Sequence, residues 1–197
     1  MFAPRSCSKK SCSRPALSSS QGCVVHTDGA AQHVASLLRR TNEGNDLRDL
    51  DLAGIRIEDA DLSGADISGC RLTAATFVRV NLASARIHLS FLDLATFEDC
   101  DFSKAVMQNS VFAGSRLAGC SFQDSEIVQV NFLGIQGERV RFDHSNLYSS
   151  RFTGAVLTSV SMRDCNLTRT IFDSPHRDAI DFHSSNTNEA IFKDQPA

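Results

Sequence analysis

The chain has 197 residues, 42% of them hydrophobic, with a net charge of −3 and a mean hydropathy of −0.16. These values suit one large domain with its own core and exclude a chain that is disordered throughout. No apolar run reaches the ~18 residues of a membrane-spanning helix, and seven cysteines without a CxxC pair indicate neither a zinc ribbon nor a disulfide framework.

The near-balance of charge hides two regimes. Residues 1–44 carry 6 basic and 2 acidic groups, net +4, whereas residues 45–197 carry 14 and 21, net −7. The first 20 residues hold seven Ser and four basic residues with no acid, so 1–27 is expected to be a basic, Ser-rich, disordered tail. It lacks the apolar segment of a secretory signal peptide, and Cys7, Cys12 and Cys23 are expected to be free thiols there. Residues 28–44 read as a short amphipathic capping helix and linker. Asp28 can cap, Val34, Leu37 and Leu38 share a face over 29–40, and Arg39 and Arg40 suit the negative end of the helix dipole.

From residue 45 the pattern changes. Stepping by five from Leu47 to Phe192 visits 30 positions, of which 27 are apolar. The residue two before each is nearly always small or β-branched, as in Ala65, Cys70, Ala75, Val80 and Ala85. A period of five fits neither a helix at 3.6 nor a strand at 2. If each unit of five is one side of a square coil, the large and the small residue point inward and the other three outward. Four sides then make a 20-residue turn, and 30 units at a ladder spacing of ~4.8 Å make about 7.5 turns, a rod of roughly 36 Å. The 13 Phe, against 1 Tyr and no Trp, are core material in this reading. The core is expected to include Leu62, Ile67, Leu72, Phe97, Phe102, Phe112, Phe122, Phe132, Phe142, Phe152 and Phe172.

The units ADLSG (60–64), ADISG (65–69), CRLTA (70–74), VNLAS (80–84), CDFSK (100–104), VNFLG (130–134) and CNLTR (165–169) resemble the pentapeptide-repeat proteins, whose consensus is A(D/N)LXX. The resemblance covers about 45–194 and implies an all-β fold, a right-handed quadrilateral parallel β-helix. LRDLDL (47–52) starts like a leucine-rich repeat, but that pattern does not recur at 20–29 residues.

Units 20 residues apart share a face, which puts Phe112, Phe132, Phe152, Phe172 and Phe192 in one stack and Phe102, Phe122, Phe142 and Phe182 in another, opposite. Gly137, Arg177 and Thr187 interrupt the central column. A bulge is expected at 135–139 and a looser coil after 173, where Pro175 takes a small-residue slot. The 29–40 helix is expected to cover the first coil, and the open C-terminal coils leave room for a homodimer. Cys70, Cys100, Cys120 and Cys165 fall in the small inward column as space-filling thiols, with Cys100 and Cys120 close enough for a bridge.

No catalytic, cofactor or metal site is expected. His144 between Asp143 and Ser145 cannot converge with them on a coil, and HRDAIDFH (176–183) reads as a solvated end. The sequence thus points to a non-enzymatic protein-binding rod, with Asp51, Asp61, Asp66, Glu98, Asp99 and Asp101 as candidate partner-facing residues. No direct nucleic-acid binding and no membrane span are expected. The partner is a host protein if the Ser-rich N-terminus, which resembles a type III export signal, directs the chain out of a bacterium. Alternatively the resemblance implies a DNA mimic in the bacterial cytoplasm that binds a type II topoisomerase, DNA gyrase or topoisomerase IV, and shields it from quinolone-like inhibitors.

Overall fold

A computed structural model describes residues 5–14, 16–29, 46–172 and 180–192. Across 46–172 the chain is a parallel β-solenoid in which each residue pairs with the one 20 positions on, as Arg56 does with Thr76 and Thr96 with Arg116. The four sides of the coil are four separate sheets. One holds six strands, β1 (Arg56–Glu58), β2 (Thr76–Val78), β4 (Thr96–Glu98), β6 (Arg116–Ala118), β8 (Gln136–Glu138) and β9 (Val156–Thr158), stacked in that order. A second holds β3 (Arg86–His88), β5 (Val106–Gln108) and β7 (Glu126–Val128). Two-stranded sheets of β10 (Val160–Ser161) with β12 (Ile180–Asp181), and of β11 (Ile171–Phe172) with β13 (Ile191–Phe192), mark the remaining sides. Six strands in one sheet mean six stacked turns on that side.

The interior is filled by the two inward columns. Every central residue from Leu47 to Phe172 is buried. Rings stack along one face, with Phe132 and Phe152 centroids 4.8 Å apart, and along the opposite face, with Phe102 and Phe122 at 4.6 Å. The two stacks meet edge-to-face across the axis, as Phe132 and Phe142 do at 6.0 Å, the arrangement that ring quadrupoles favour. In the small column the polar members do more than fill space. Ser90 Oγ donates to the Ile67 carbonyl at 2.7 Å and accepts the Cys70 N–H at 3.3 Å. The same 23-residue reach recurs from Ser125 to Phe102, Ser150 to Ile127 and Thr170 to Leu147. Backbone groups that the ladder leaves unpaired are thus satisfied from inside.

Two outward positions also have structural jobs. The Asp or Asn just before the central residue accepts the N–H of the residue just after it, as in Asn131 with Leu133 at 2.9 Å and Asp61 with Ser63 at 3.0 Å. This local acceptor fixes the turn. The second residue after the centre is the corner. Every fifth residue from Asp49 to Arg169 has φ between about +50° and +73°, which is why glycine recurs there beside Asp, Asn and Ser.

Two expectations need correction, and a third falls outside the described residues. No bulge forms at 135–139, because Gly137 pairs in register with Leu117 and Leu157. The Leu157 side chain lies 2.8 Å from where a Cβ on Gly137 would be, so a neighbour fills the missing volume. Within residues 1–27, expected as a disordered tail, 5–14 and 16–27 are described and folded: Leu17 is buried in the main core, Ser18 N–H donates to the Asp51 carbonyl at 2.9 Å, and Ser18 Oγ accepts the Asp51 N–H at 2.5 Å. An exposed coil edge offers unpaired backbone groups, and a Ser-rich segment without apolar periodicity can still satisfy them one by one. Finally, the capping helix over 29–40 lies outside the described residues except for Gly29; what covers the first coil among the described residues is the 16–18 segment.

At the other end, Arg177 and Pro175 lie outside the described residues. Thr187 sits in a 3-10 turn, Thr187–Glu189, and Phe182 and Phe192 are only partly buried. No helix of the described residues is long and apolar enough to cross a membrane.

Candidate functional site

The six acidic candidates do not form one surface. Asp51 is on the side of β11, Asp66 on the side of β3, Asp61 and Asp101 on the side of β10, and Glu98 and Asp99 on the six-stranded side. Four of them precede a central residue and hold their own turns. Asp51 is also buried against Arg71, with Arg71 Nη2 donating at 2.5 Å, and Asp66 and Asp101 each accept from the serine two residues on. Glu98 and Asp99 stay exposed.

Charge on the rod is paired locally. Arg48 reaches Asp46 at 2.6 Å, Arg79 reaches Asp59 at 2.6 Å and Arg163 reaches Asp181 at 2.5 Å, while Arg56 pairs with Glu58 and Arg139 with Glu138. The guanidinium beside Asp46 holds its carboxyl down at about 2. These pairs, with Arg71 on Asp51, neutralise six carboxylates and interrupt the net −7 of residues 45–197 without cancelling it.

A different surface stands out at the corner between the side of Phe112 and Phe132 and the six-stranded side. Leu94 is 63% exposed, Val156 52%, Phe91 51% and Leu133 47%. Between them the corner column runs Gly114, Gly134, Gly154; Leu94 leans over Gly114, and nothing lies within 4 Å of where a Cβ would be on Gly134 or Gly154. The units SVFAG (110–114) and VNFLG (130–134) beside this furrow contain no charged residue, and Asp93 and Arg151 bound it at either end. Exposed Arg116 stands in the opposite wall, in the same column as Val156, so the furrow combines exposed Phe and Leu with one cation beside its glycines, an apolar and Arg-bearing composition that suits an interface. The acid-first sequence reading missed this furrow, whose signal is glycine recurring every 20 residues beside an outward Leu.

The catalytic candidates stay apart. Ser145 is buried, its Oγ donating to the Phe122 carbonyl at 2.6 Å; Asp143 Oδ1 accepts the Arg163 N–H at 3.0 Å; and His144 is an exposed corner residue, its Nδ1 3.7 Å from Asp164. Residues 176–179 of HRDAIDFH lie outside the described residues. Burial pushes the Cys70 thiol up to about 12 and Cys165 to about 11, and Cys120 is raised by its hydrogen bond with Cys100 and by burial, which makes them poor nucleophiles. All seven cysteines are free, so Cys100 and Cys120 form no bridge.

The N-terminal thiols are placed otherwise than expected. Cys7 and Cys23 are buried, Cys12 is half-buried, and all three converge with His26 so that the four potential ligand atoms lie within 4.8 Å of one another. A cleft of about 500 Å³ next to them, lined by Arg14, Val24, Val25, Gly54, Arg71 and Thr73 among others, separates this segment from the first coils.

Among known protein families, the one described as pentapeptide repeat region matches residues 95–172, and pentapeptide repeats (8 copies) matches 55–93. No curated protein matches. Among solved structures, HetL, a pentapeptide repeat protein involved in heterocyst differentiation regulation from the cyanobacterium Nostoc, is 16% identical over 77% of this chain and 78% of its own, with a TM-score of 0.44. The pentapeptide repeat protein Rfr23 from the cyanobacterium Cyanothece is 11% identical over 81% and 99%, with a TM-score of 0.41. QnrB1, a plasmid-mediated fluoroquinolone resistance protein, is 19% identical over 75% and 85%, with a TM-score of 0.33.

Proposed function

Because the chain belongs to the pentapeptide-repeat family, we propose that it works as a non-enzymatic rod that binds a partner protein along the glycine furrow between Leu94 and Val156. The observation that carries this is the cluster of exposed Phe91, Leu94 and Leu133 beside the open Gly134 and Gly154, with Arg116 in the facing wall. The occupant that fits is the apolar face of an amphipathic helix. Successive coils repeat at about 4.8 Å, close to the ~5.4 Å pitch of a helix, so side chains one turn apart can sit over successive coils.

Gly134→Lys tests this without threatening the fold, because Lys104 and Arg139 already occupy equivalent corners at φ +59° and +53°. A photo-cross-linking residue at position 133 is expected to capture a protein that binds the purified rod. Gly134→Lys should weaken that binding at least tenfold while leaving the far-UV spectrum unchanged. Undiminished binding to the Gly134→Lys variant refutes the furrow as the site.

The finer readings share this rod. A host-directed effector adds export, which a translocation reporter fused to residues 1–44 tests. Glu98 and Asp99 remain candidate rim contacts for such a partner. A DNA mimic predicts that titrated protein inhibits supercoiling by DNA gyrase; the locally paired charges favour no inhibition, and inhibition would move the function to a topoisomerase in the cytoplasm. A homodimer through the terminal coils rests on half-exposed Ile191 and is tested by light scattering.

A further inference from the structure

We propose that Cys7, Cys12, Cys23 and His26 form a Cys3His site for a zinc ion, which holds residues 5–29 over the first coil of the rod. In a tetrahedral zinc site, Zn–S bonds of about 2.3 Å and Zn–N bonds of about 2.0–2.1 Å make the ligand-to-ligand edges about 3.8 Å for S···S and about 3.5 Å for S···N. The structure has Cys12 Sγ 3.9 Å from Cys23 Sγ, Cys7 Sγ 3.4 Å from His26 Nδ1, and Cys23 Sγ 3.5 Å from the same nitrogen. These edges are far from the about 2.05 Å of a disulfide. Both short sulfur contacts of the imidazole are to Nδ1, which makes that nitrogen the ligand atom and leaves Nε2 of the exposed His26 ring free to face water.

The surroundings are those of metal thiolates. The backbone around the ligands is tied together, with the Cys7 N–H donating to the Arg14 carbonyl at 3.0 Å, the Cys12 N–H to the Lys9 carbonyl at 3.0 Å and the His26 N–H to the Cys23 carbonyl at 2.9 Å, the kind of outer contact that orients ligands. Three thiolates around a divalent ion leave one negative charge, and the segment carries Arg5, Lys9, Lys10 and Arg14 with no acid before Asp28. The segment also needs a staple. Of its described side chains, Leu17 joins the main core and Val24 packs partly buried against it, too little apolar burial to order so many residues. A metal closing the loops between positions 7, 12, 23 and 26 supplies that ordering, and Ser18 then satisfies the coil edge at Asp51.

The test uses the full-length protein under reducing conditions. Protein purified in the presence of zinc is expected to hold one zinc per chain by elemental analysis. After metal removal, added Co²⁺ should produce the visible bands of a tetrahedral site together with a thiolate-to-cobalt charge-transfer band, both abolished by zinc. Cys12→Ser and Cys23→Ser should lose the stoichiometric metal, whereas Cys70→Ser and Cys165→Ser keep it. Since ligand variants can misfold, the wild-type protein provides a second readout: tryptic cleavage at Lys9 and Lys10 should speed up at least tenfold on metal removal and slow again when zinc is restored. Reduced wild-type protein that takes up no stoichiometric zinc and shows no charge-transfer band overturns the proposal, as does full occupancy in Cys12→Ser or cleavage indifferent to zinc.

Discussion

Replacing Phe132 with alanine strikes the rod where both aromatic stacks meet. The ring is fully buried and has four ring neighbours: Phe152 at 4.8 Å and Phe112 at 5.3 Å in its own stack, and Phe142 at 6.0 Å and Phe122 at 6.4 Å across the axis. A buried Phe→Ala truncation costs about 3–5 kcal/mol, and a core whose neighbours are held at the coil spacing collapses little into the gap. The upper half of that range, about 4–5 kcal/mol, is therefore expected. At roughly 2–4 °C per kcal/mol for a chain of this size, the Tm falls by about 8–20 °C in a circular-dichroism melt. Phe192→Ala is the internal control, because Phe192 is only partly buried at the end of the described rod, packed on Phe172 and Phe182; its cost should be about 1–2 kcal/mol. Equal losses in the two variants, or a Phe132→Ala melt within about 2 °C of wild type, would refute the inward stack as the main source of cohesion.

Ser90→Ala keeps the small column small but strips the Cys70 N–H and the Ile67 carbonyl of their shared partner, and should cost about 1–3 kcal/mol in urea denaturation. Ser90→Cys, imitating native Cys100 and Cys120, should fall well short of that; equal losses in the two variants would mean that the hydroxyl is not bridging the coils. On acidification, Asp46, held at about 2 by Arg48, and Asp59 and Asp181, lowered by the Arg79 guanidinium and by the His183 N–H respectively, must take up protons against their folded-state preference. Their depressed values contribute stability above the ordinary carboxylate value of 3.8, lost as pH falls through that value toward about 2. The Tm is expected to drop over that window and to be flat above pH 5, and a Tm that rises between pH 4 and 2 contradicts the assignment.

The repeat register was legible because burial repeats without insertion, so the central column from Leu47 to Phe172 could be listed from spacing alone. Gly137 misled for a physical reason: a missing side chain looks like a break in sequence, yet the Leu157 side chain fills the space and the ladder runs through. The N-terminal segment was illegible for a different reason. Its order comes from contacts between residues far apart in sequence, Ser18 with Asp51 and Cys7 with His26, and neither composition nor periodicity carries such pairings.

The same logic explains why acidic side chains were poor guides to the partner surface. Of five positions in each unit, the large and small inward residues are spent on the core. The residue before the centre is spent on its turn wherever it is Asp or Asn, as at Asp61, Asp66 and Asp101. That leaves the two positions after the centre, and of these the corner must accept a left-handed backbone. Apart from before-centre residues that hold no turn, such as Phe91 and Val156, recognition can therefore be written only at Leu133 and Glu98 and their equivalents, and at the corners, where glycine removes a side chain and opens a furrow as readily as Leu94 or Asp99 adds one. Variation at these two positions is nearly free for the fold, because exposed corners tolerate Lys104, Arg139 and His144 alike. A substitution there that changes binding without changing the melt isolates recognition from stability, and the same substitution one residue before the centre mixes the two.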